Sequence, residues 1–375
     1  MVSSSVKDVA ALAHVSIGTV SNVLNRPEIV APETIERVMA AIEKLSYVRN
    51  EAARQLRVGQ SHAVGLIALS GSNPFFTEVT AAAEDSAATA GFSVIAGTSD
   101  RKKDREGRYL DLFEELRVRG VLITPVGSVE ARLRRMRDRG IPAVLVDRVS
   151  TDLSFSSVSV DDVAGGSLAA SHLVDTGRKR IAFVGGPQQI RQVSDRLRGA
   201  RQAVAPHPDV TLEVIFLDAL TVQEGLAAGR TIAARPRSER PDAIFAANDL
   251  LAIGLLQGLF MQGGIAIPDE IALVGYDDIQ FAGASVVPLT SIRQPSRLIG
   301  ASAVSILLAE ADDPDVDTQQ IVYQPELVIR ASSSATFDAA TLWSESLESE
   351  AAGAEPAADE TTEETTDETA EELAL

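Results

Sequence analysis

The chain has 375 residues, 45% of them hydrophobic, which is enough for more than one well-buried core. It contains no cysteine, so disulfides, thiol nucleophiles and cysteine-held zinc are excluded, and its four histidines are scattered; no metal and no cofactor are expected. The net charge of −19 argues at first against a nucleic-acid partner, but twelve acids and no base fall between Glu345 and Glu372, which leaves −7 for the rest.

The chain opens on two short helical patterns broken at a tight turn, over Val6–Asn25. Ser5 and Asp8 have the spacing of a capping box, and Val6, Val9, Ala10 and Ala13 supply an apolar face. His14 stands at the bend, a position for glycine or for one of the few residues that tolerate positive φ. Ser16 caps the second helix, whose Val20, Val23 and Leu24 point inward. Ile17, Gly18, Ser21 and Asn22 are left on the outer face near its N-terminus, where a recognition helix meets base edges. After a loop at 26–30, Pro32 opens a third helix, Glu33–Leu45, with Ile35, Val38, Met39 and Ile42 turned inward. The stretch Glu51–Val58 is too short to be helical alone and reads as a linker that folds only when bound.

From Ala63 onward short apolar strands alternate with helices of ten to fifteen residues, in two successive runs, 63–147 and 158–276. This pattern predicts an α/β architecture of two doubly wound parallel-sheet lobes. Leu289–Gln294, Arg297–Leu308 and Gln319–Ile329 add a strand, a helix and a further strand pattern, which return the chain to the first lobe and then back. Several crossings make a hinge, with ligands expected where strand carboxyl ends face each other. The expected domains are a helix-turn-helix headpiece (1–49), a hinge helix and linker (50–60), a two-lobed domain (61–337) and a disordered acidic tail (338–375). No run approaches the roughly 20 apolar residues of a membrane span and no signal-like segment opens the chain, so a cytoplasmic protein without membrane contact is expected.

Particular residues carry a family likeness. Lys7-Asp8-Val9-Ala10, Val15-Ser16, Thr19-Val20-Ser21, Val23-Leu24-Asn25, Tyr47, Asn50, Ala53 and Leu56 resemble the headpiece and hinge of the lactose-repressor (LacI/GalR) family. The likeness continues through Asn73-Pro74-Phe75-Phe76, Val146-Asp147-Arg148, Arg196–Gly199, Asn248-Asp249, Val274–Asp278 and Leu289–Ile292. It implies lobes of periplasmic-binding-protein type and a homodimeric repressor reading a pseudo-palindromic operator. It also implies hinges that become helical on DNA and a Leu56 that wedges into the minor groove, a cost of a few kcal/mol offset by contacts the bend permits. An ordinary packing leucine is the other reading of Leu56.

By this likeness the DNA-contacting residues are Ser16, Ile17, Gly18, Thr19, Ser21, Asn22, Asn25, Tyr47, Asn50, Ala53 and Leu56. Ile17 and Gly18 offer no side-chain hydrogen bond, so Asn22, able to pair with adenine in two places, is the residue for direct readout. The effector-binding residues carried over are Asn73, Phe75, Asp147, Arg148, Arg196, Phe245, Asn248 and Asp277. Carboxylates, guanidinium and amides around an aromatic face suit a sugar or nucleoside. Ser296 stands where lactose-type members have an aromatic ring. Plainer alternatives stand beside these assignments: Phe245 suits a core position, Asp277 and Asp278 suit a helix cap or solvated loop, and Arg191 and Arg198 read as surface charges. A regulator of the same kind controlled by a protein corepressor is the second reading. A two-lobe sugar-binding enzyme is the third, disfavoured because there is no Walker A loop, G-x-S-x-G elbow or GxGxxG after a strand.

Overall fold

The computed structural model describes residues 5–47, 61–150, 152–261 and 265–334. The hinge calls Asn50, Ala53 and Leu56 and the tail 338–375 lie outside the described residues.

The headpiece is three helices, α1 (Val6–Leu12), α2 (Ile17–Asn25) and α3 (Pro32–Lys44). The capping box forms as expected: the Ser5 hydroxyl accepts from the Asp8 N–H, and the Asp8 carboxylate accepts from the Ser5 N–H at 2.8 Å. Such a cap is worth about 1 kcal/mol. His14 has a φ of 55°, so the turn between α1 and α2 does use the left-handed conformation. Val9, Val20 and Val38 form the fully buried centre, with Ala10, Ala13, Val23 and Ala41 around them. Two expectations are corrected. Residues Pro27–Ile29 form a 3₁₀ turn where a plain loop was expected. Met39 is 49% exposed, because the buried stripe runs Val38, Ala41, Ile42 and Leu45 at i+3, i+4 and i+7, and Met39 sits a further 100° round the helix.

The first lobe is a six-stranded sheet built from β1 (Ala63–Ala68), β2 (Ser93–Thr98), β3 (Val121–Ile123), β4 (Ala143–Val146), β5 (Ser157–Val160) and β11 (Gln320–Tyr323), in the order β11-β5-β4-β3-β1-β2. The second holds β6 (Arg180–Gly185), β7 (Thr211–Phe216), β8 (Ala243–Ala246), β9 (Ala272–Asp277), β10 (Thr290–Arg293) and β12 (Glu326–Val328), in the order β12-β10-β9-β8-β6-β7. Helices α4 (Pro74–Thr89), α5 (Lys103–Glu115) and α6 (Glu130–Arg137) belong to the first lobe. Helices α7 (Asp162–Asp175), α8 (Arg191–Val204), α9 (Val222–Ala233), α10 (Asp249–Met261) and the short α11 (Gln280–Gly283) belong to the second. All pairings are parallel except β12 on β10, so the second sheet has an antiparallel edge that the all-parallel expectation lacks.

The single strand expected over Gln319–Ile329 is divided: β11 joins the first sheet, Gln324 and Pro325 cross over, and β12 joins the second. Proline cannot donate to a ladder, which ends β11 there. Together with the passage from β5 to α7, and from β10 to α12 (Ser296–Asp312), which packs on α4 of the first lobe, the chain crosses between lobes three times. One close approach positions the site. A Cβ on Gly166 of α7 would lie 2.0 Å from the Arg196 carbonyl, and one on Gly199 of α8 would lie 2.0 Å from the Val163 carbonyl. Only glycine lets these two helices come together, and that contact brings Asp162 at the start of α7 against Arg196 on α8.

Candidate functional site

On α2 the polar residues nearest the helix start are engaged locally. The Ser16 hydroxyl accepts from the Thr19 N–H at 3.0 Å and shares a 2.9 Å hydrogen bond with the Thr19 hydroxyl. Asn25 donates to the Ser21 carbonyl at 2.7 Å and to its hydroxyl at 3.2 Å. Ile17 is 43% exposed, Gly18 and Asn22 are exposed, and Tyr47 packs half-buried against the headpiece core. A Cβ on Gly18 would meet nothing nearer than the Ser16 hydroxyl at 3.5 Å, so packing within the headpiece does not demand a glycine there. The missing side chain leaves an open approach on the surface that faces outward.

The second site lies where the carboxyl ends of the two sheets meet. Arg196 is its centre: buried, its Nε donates to Asp162 at 2.8 Å, its Nη1 to the Ala247 carbonyl at 2.6 Å, and Asp277 lies 3.7 Å away. The guanidinium carbon stands 3.6 Å over the Tyr276 ring. Asp277 also accepts from Asn73 of the first lobe at 2.8 Å and from Gln294 at 2.8 Å. Asp147, at the end of β4, accepts at 2.9 Å from Gln192 of the second lobe, which also donates to the Asp147 carbonyl. Four of the expected effector residues, Asn73, Asp147, Arg196 and Asp277, are thus gathered at the lobe boundary.

The electrostatics follow from burial. Asp277 is pushed up to about 6 because it is desolvated, against the opposing pull of Arg196, Asn73 and Gln294. Asp147 is pushed well up by burial and by the neighbouring charge of Asp162. Burial works against the charge on Arg196, but Asp162, Tyr276, Asp277 and Asp147 outweigh it and keep the guanidinium protonated. Three carboxyl groups, each pushed toward its protonated form by burial, therefore surround one cation. Asp147 Oδ1 and Gln294 Oε1 are buried acceptors with no protein partner, and such orphans call for donor hydroxyls. Backbone strain accompanies the cluster: Asp147, Asp277 and Asp278 have φ values of 55°, 107° and 52°, conformations costing roughly 1–3 kcal/mol each.

Other expected residues lie elsewhere. Phe245, on a strand buried on both faces, packs edge-on to Phe183 in the second core and is 0% exposed. Phe75 turns into the first core against Phe76. Neither ring lines a cleft cavity; Pro125, Pro187 and Ile190 supply the apolar surface instead. Asn248 caps the start of α10, accepting from the Leu251 N–H at 3.0 Å. Arg148 does reach the cleft. It lines both a 430 Å³ cavity and a 220 Å³ one, together with Arg191 and Gln192. Arg191 and Arg198, read above as surface charges, both line the smaller cavity. Asp162, Gln192, Tyr276 and Gln294 were missed: the sequence signal for Asp162 was its place just after a strand, that for Tyr276 its place within the Val274–Asp278 likeness, and the other two had none.

Residues 5–50 match the family described as bacterial regulatory proteins, lacI family, and residues 170–333 match the periplasmic binding protein-like domain. The ribose operon repressor of Escherichia coli K12 is 32% identical over 337 residues, covering 88% of this chain and 99% of that protein. Among solved structures, the lac repressor dimer bound to operator and the anti-inducer ONPF is 27% identical with a TM-score of 0.77, covering 89% of this chain and all of that one. A regulator of the same family from Enterococcus faecium, with bound ribose, is 26% identical with a TM-score of 0.65, covering 72% of this chain and 98% of that chain.

Proposed function

Because the chain belongs to the lacI family of bacterial regulatory proteins, and so is a DNA-binding transcriptional repressor rather than an enzyme, we propose a finer reading of how it works. It acts in the cytoplasm as a homodimer whose two α2 helices read the half-sites of a pseudo-palindromic operator, and a hydroxylated effector, a sugar or nucleoside, binds between its lobes. Asn22 takes the direct base contact, Ile17 and Gly18 admit close apolar approach, and Ser16, Thr19, Ser21 and Asn25 hold phosphates. The observation that carries the effector half is the 2.8 Å hydrogen bond from Asn73 to Asp277. It joins the two lobes within the cluster that holds the orphaned acceptors.

A ligand that offers hydroxyls to Asp277, Asp147 and Arg196 competes with or extends that bond. Lobe closure and occupancy are thereby linked, and a ligand shifts the equilibrium by its differential affinity for the two states. The reading is tested by operator binding to DNA upstream of the chain's own gene, measured by fluorescence anisotropy with and without sugars and nucleosides. Two chains per operator, an affinity that falls steeply with salt, and a ligand effect abolished by Asp277→Ala are expected. Operator binding that no sugar or nucleoside alters, with a phosphocarrier protein co-eluting instead, would give the control to a corepressor.

A further inference from the structure

The two cavities of the cleft differ in charge. The 220 Å³ cavity is of mixed charge, lined by Asp147, Asp161, Asp162 and Asp195 and by Arg148, Arg191 and Arg198, and among its lining residues are two buried oxygens without a protein partner, Asp147 Oδ1 and the Ser159 hydroxyl. The 430 Å³ cavity is lined by three arginines, Arg101, Arg148 and Arg191, with Asp218 as the one acid among its lining residues. Arg148 and Arg191 border both, so the cavities adjoin. The smaller side offers acceptors to ligand hydroxyls among charges of both signs, whereas the larger side is mainly basic.

Three features of the basic side are independent of one another. Arg101 is half-buried and makes no ion pair among the described residues, whereas Arg148 is tied to the Gly127 carbonyl at 2.8 Å and Arg191 lies 3.4 Å from Asp195. The loop carrying Arg101 is strained: Asp100 and Arg101 have successive φ values of 48° and 58°, and the Arg101 N–H donates to the Leu69 carbonyl. Neither residue is a glycine, so the loop spends conformational energy to hold this side chain over the end of β1. Opposite, the fourteen-residue helix α8 begins at the cavity with Ile190 in the capping position and no side chain on its first N–H groups. Its positive dipole end faces the same space.

From this pairing of a hydroxyl-accepting cavity with an adjoining one lined by Arg101, Arg148, Arg191 and the open end of α8, we infer that the effector is anionic. It is a phosphorylated sugar whose hydroxyls lie on the Asp147 side and whose phosphate lies on the Arg101 side. Guanidinium groups and helix N–H groups are the donors that match a phosphate's oxygens. The inference rests on the cleft being the effector site, and it separates this chain from a receptor for the neutral sugar alone.

Inorganic phosphate probes the anion side by itself. In the full chain, millimolar phosphate should raise the melting temperature above that in chloride of equal ionic strength. The rise should vanish in Arg101→Gln, return in part in Arg101→Lys, and persist in Lys102→Gln, which alters an exposed neighbour. Calorimetry then compares ribose 5-phosphate, glucose 6-phosphate and fructose 6-phosphate with the free sugars and with gluconate. A phosphorylated sugar should bind at least tenfold more tightly than its parent, with the advantage lost in Arg101→Gln. An equal advantage for gluconate would overturn the phosphate in favour of a carboxylate. No phosphate-specific stabilisation, or one that survives Arg101→Gln, would overturn the inference while leaving the cleft open to a neutral effector. Phosphate stabilisation with no ligand-induced change in operator affinity, in either direction, would instead sink the effector reading.

Discussion

The surface proposed to read DNA and the cleft proposed to take the effector are built in opposite ways. On α2 the polar side chains are exposed and bond to residues three or four positions away, as Ser16 does to Thr19 and Asn25 to Ser21. In the cleft they are buried and bond across the chain, Asn73 to Asp277 over 204 positions and Gln192 to Asp147 over 45. The first arrangement makes a rigid rod whose outer side chains can be exchanged at little cost to the fold, which suits a surface that evolves toward new operators. The second makes every member depend on the rest. A charge removed from it leaves others stranded in a medium that cannot solvate them.

That contrast predicts a ranking of effects. Arg196→Ala should be the most damaging, because Asp162, Asp277 and Asp147 lose their shared cation; a loss of about 3–5 kcal/mol is expected in urea unfolding. A midpoint within error of wild type would mean that the acids are neutral without it, and the comparison would fail. Next is Asp277→Asn, read against pH. The folded-state value of Asp277 lies above its ordinary one, at about 6, so the native protein binds the extra proton and this site's contribution to stability falls as pH rises toward 6. The variant lacks that loss. Its stability relative to wild type should therefore climb between pH 4 and 7, by up to about 3 kcal/mol at 1.36 kcal/mol per unit. A difference that is flat with pH would show Asp277 to be ionised throughout. On the DNA side, Asn22→Ala should leave the unfolding midpoint unchanged and weaken operator binding by about 1–3 kcal/mol, with relaxed preference at one base pair.

What could be read from the sequence follows the same division. The capping box at Ser5, the cap at Ser16, the positive φ at His14 and the buried Val20 and Val23 were all legible, because each depends on residues within one helical turn. The alternation of strand and helix gave both lobes, and the run over Gln319–Ile329 gave the return crossing but not its division into β11 and β12. Periodicity registers a stretch of apolar residues without saying which sheet receives it. Within the cleft, Asn73, Asp147, Arg196 and Asp277 came from resemblance, and Phe75 and Phe245 were misplaced from the cavities because a ring at a strand or helix end suits a ligand and a core alike. Gln192 was invisible: its importance comes from Asp147, 45 positions away in sequence.

The smallest effect gives the sharpest test of the comparison, because at Ser16 the local and the functional roles share one oxygen. Its hydroxyl accepts from the Thr19 N–H, which caps the start of α2, and the same group is proposed to face a phosphate. Ser16→Ala removes both roles and should cost about 1 kcal/mol of stability together with operator affinity. Ser16→Asp separates them: a carboxylate caps as well as a hydroxyl and is favoured by the helix dipole, so stability should stay near wild type. Its charge would nevertheless oppose the phosphate, so operator affinity should fall further than in Ser16→Ala, and most at low salt, where repulsion is least screened. If the two variants instead lose operator affinity in proportion to their stability, Ser16 acts on DNA only by holding the helix in place, and the exchangeable surface begins at Ile17.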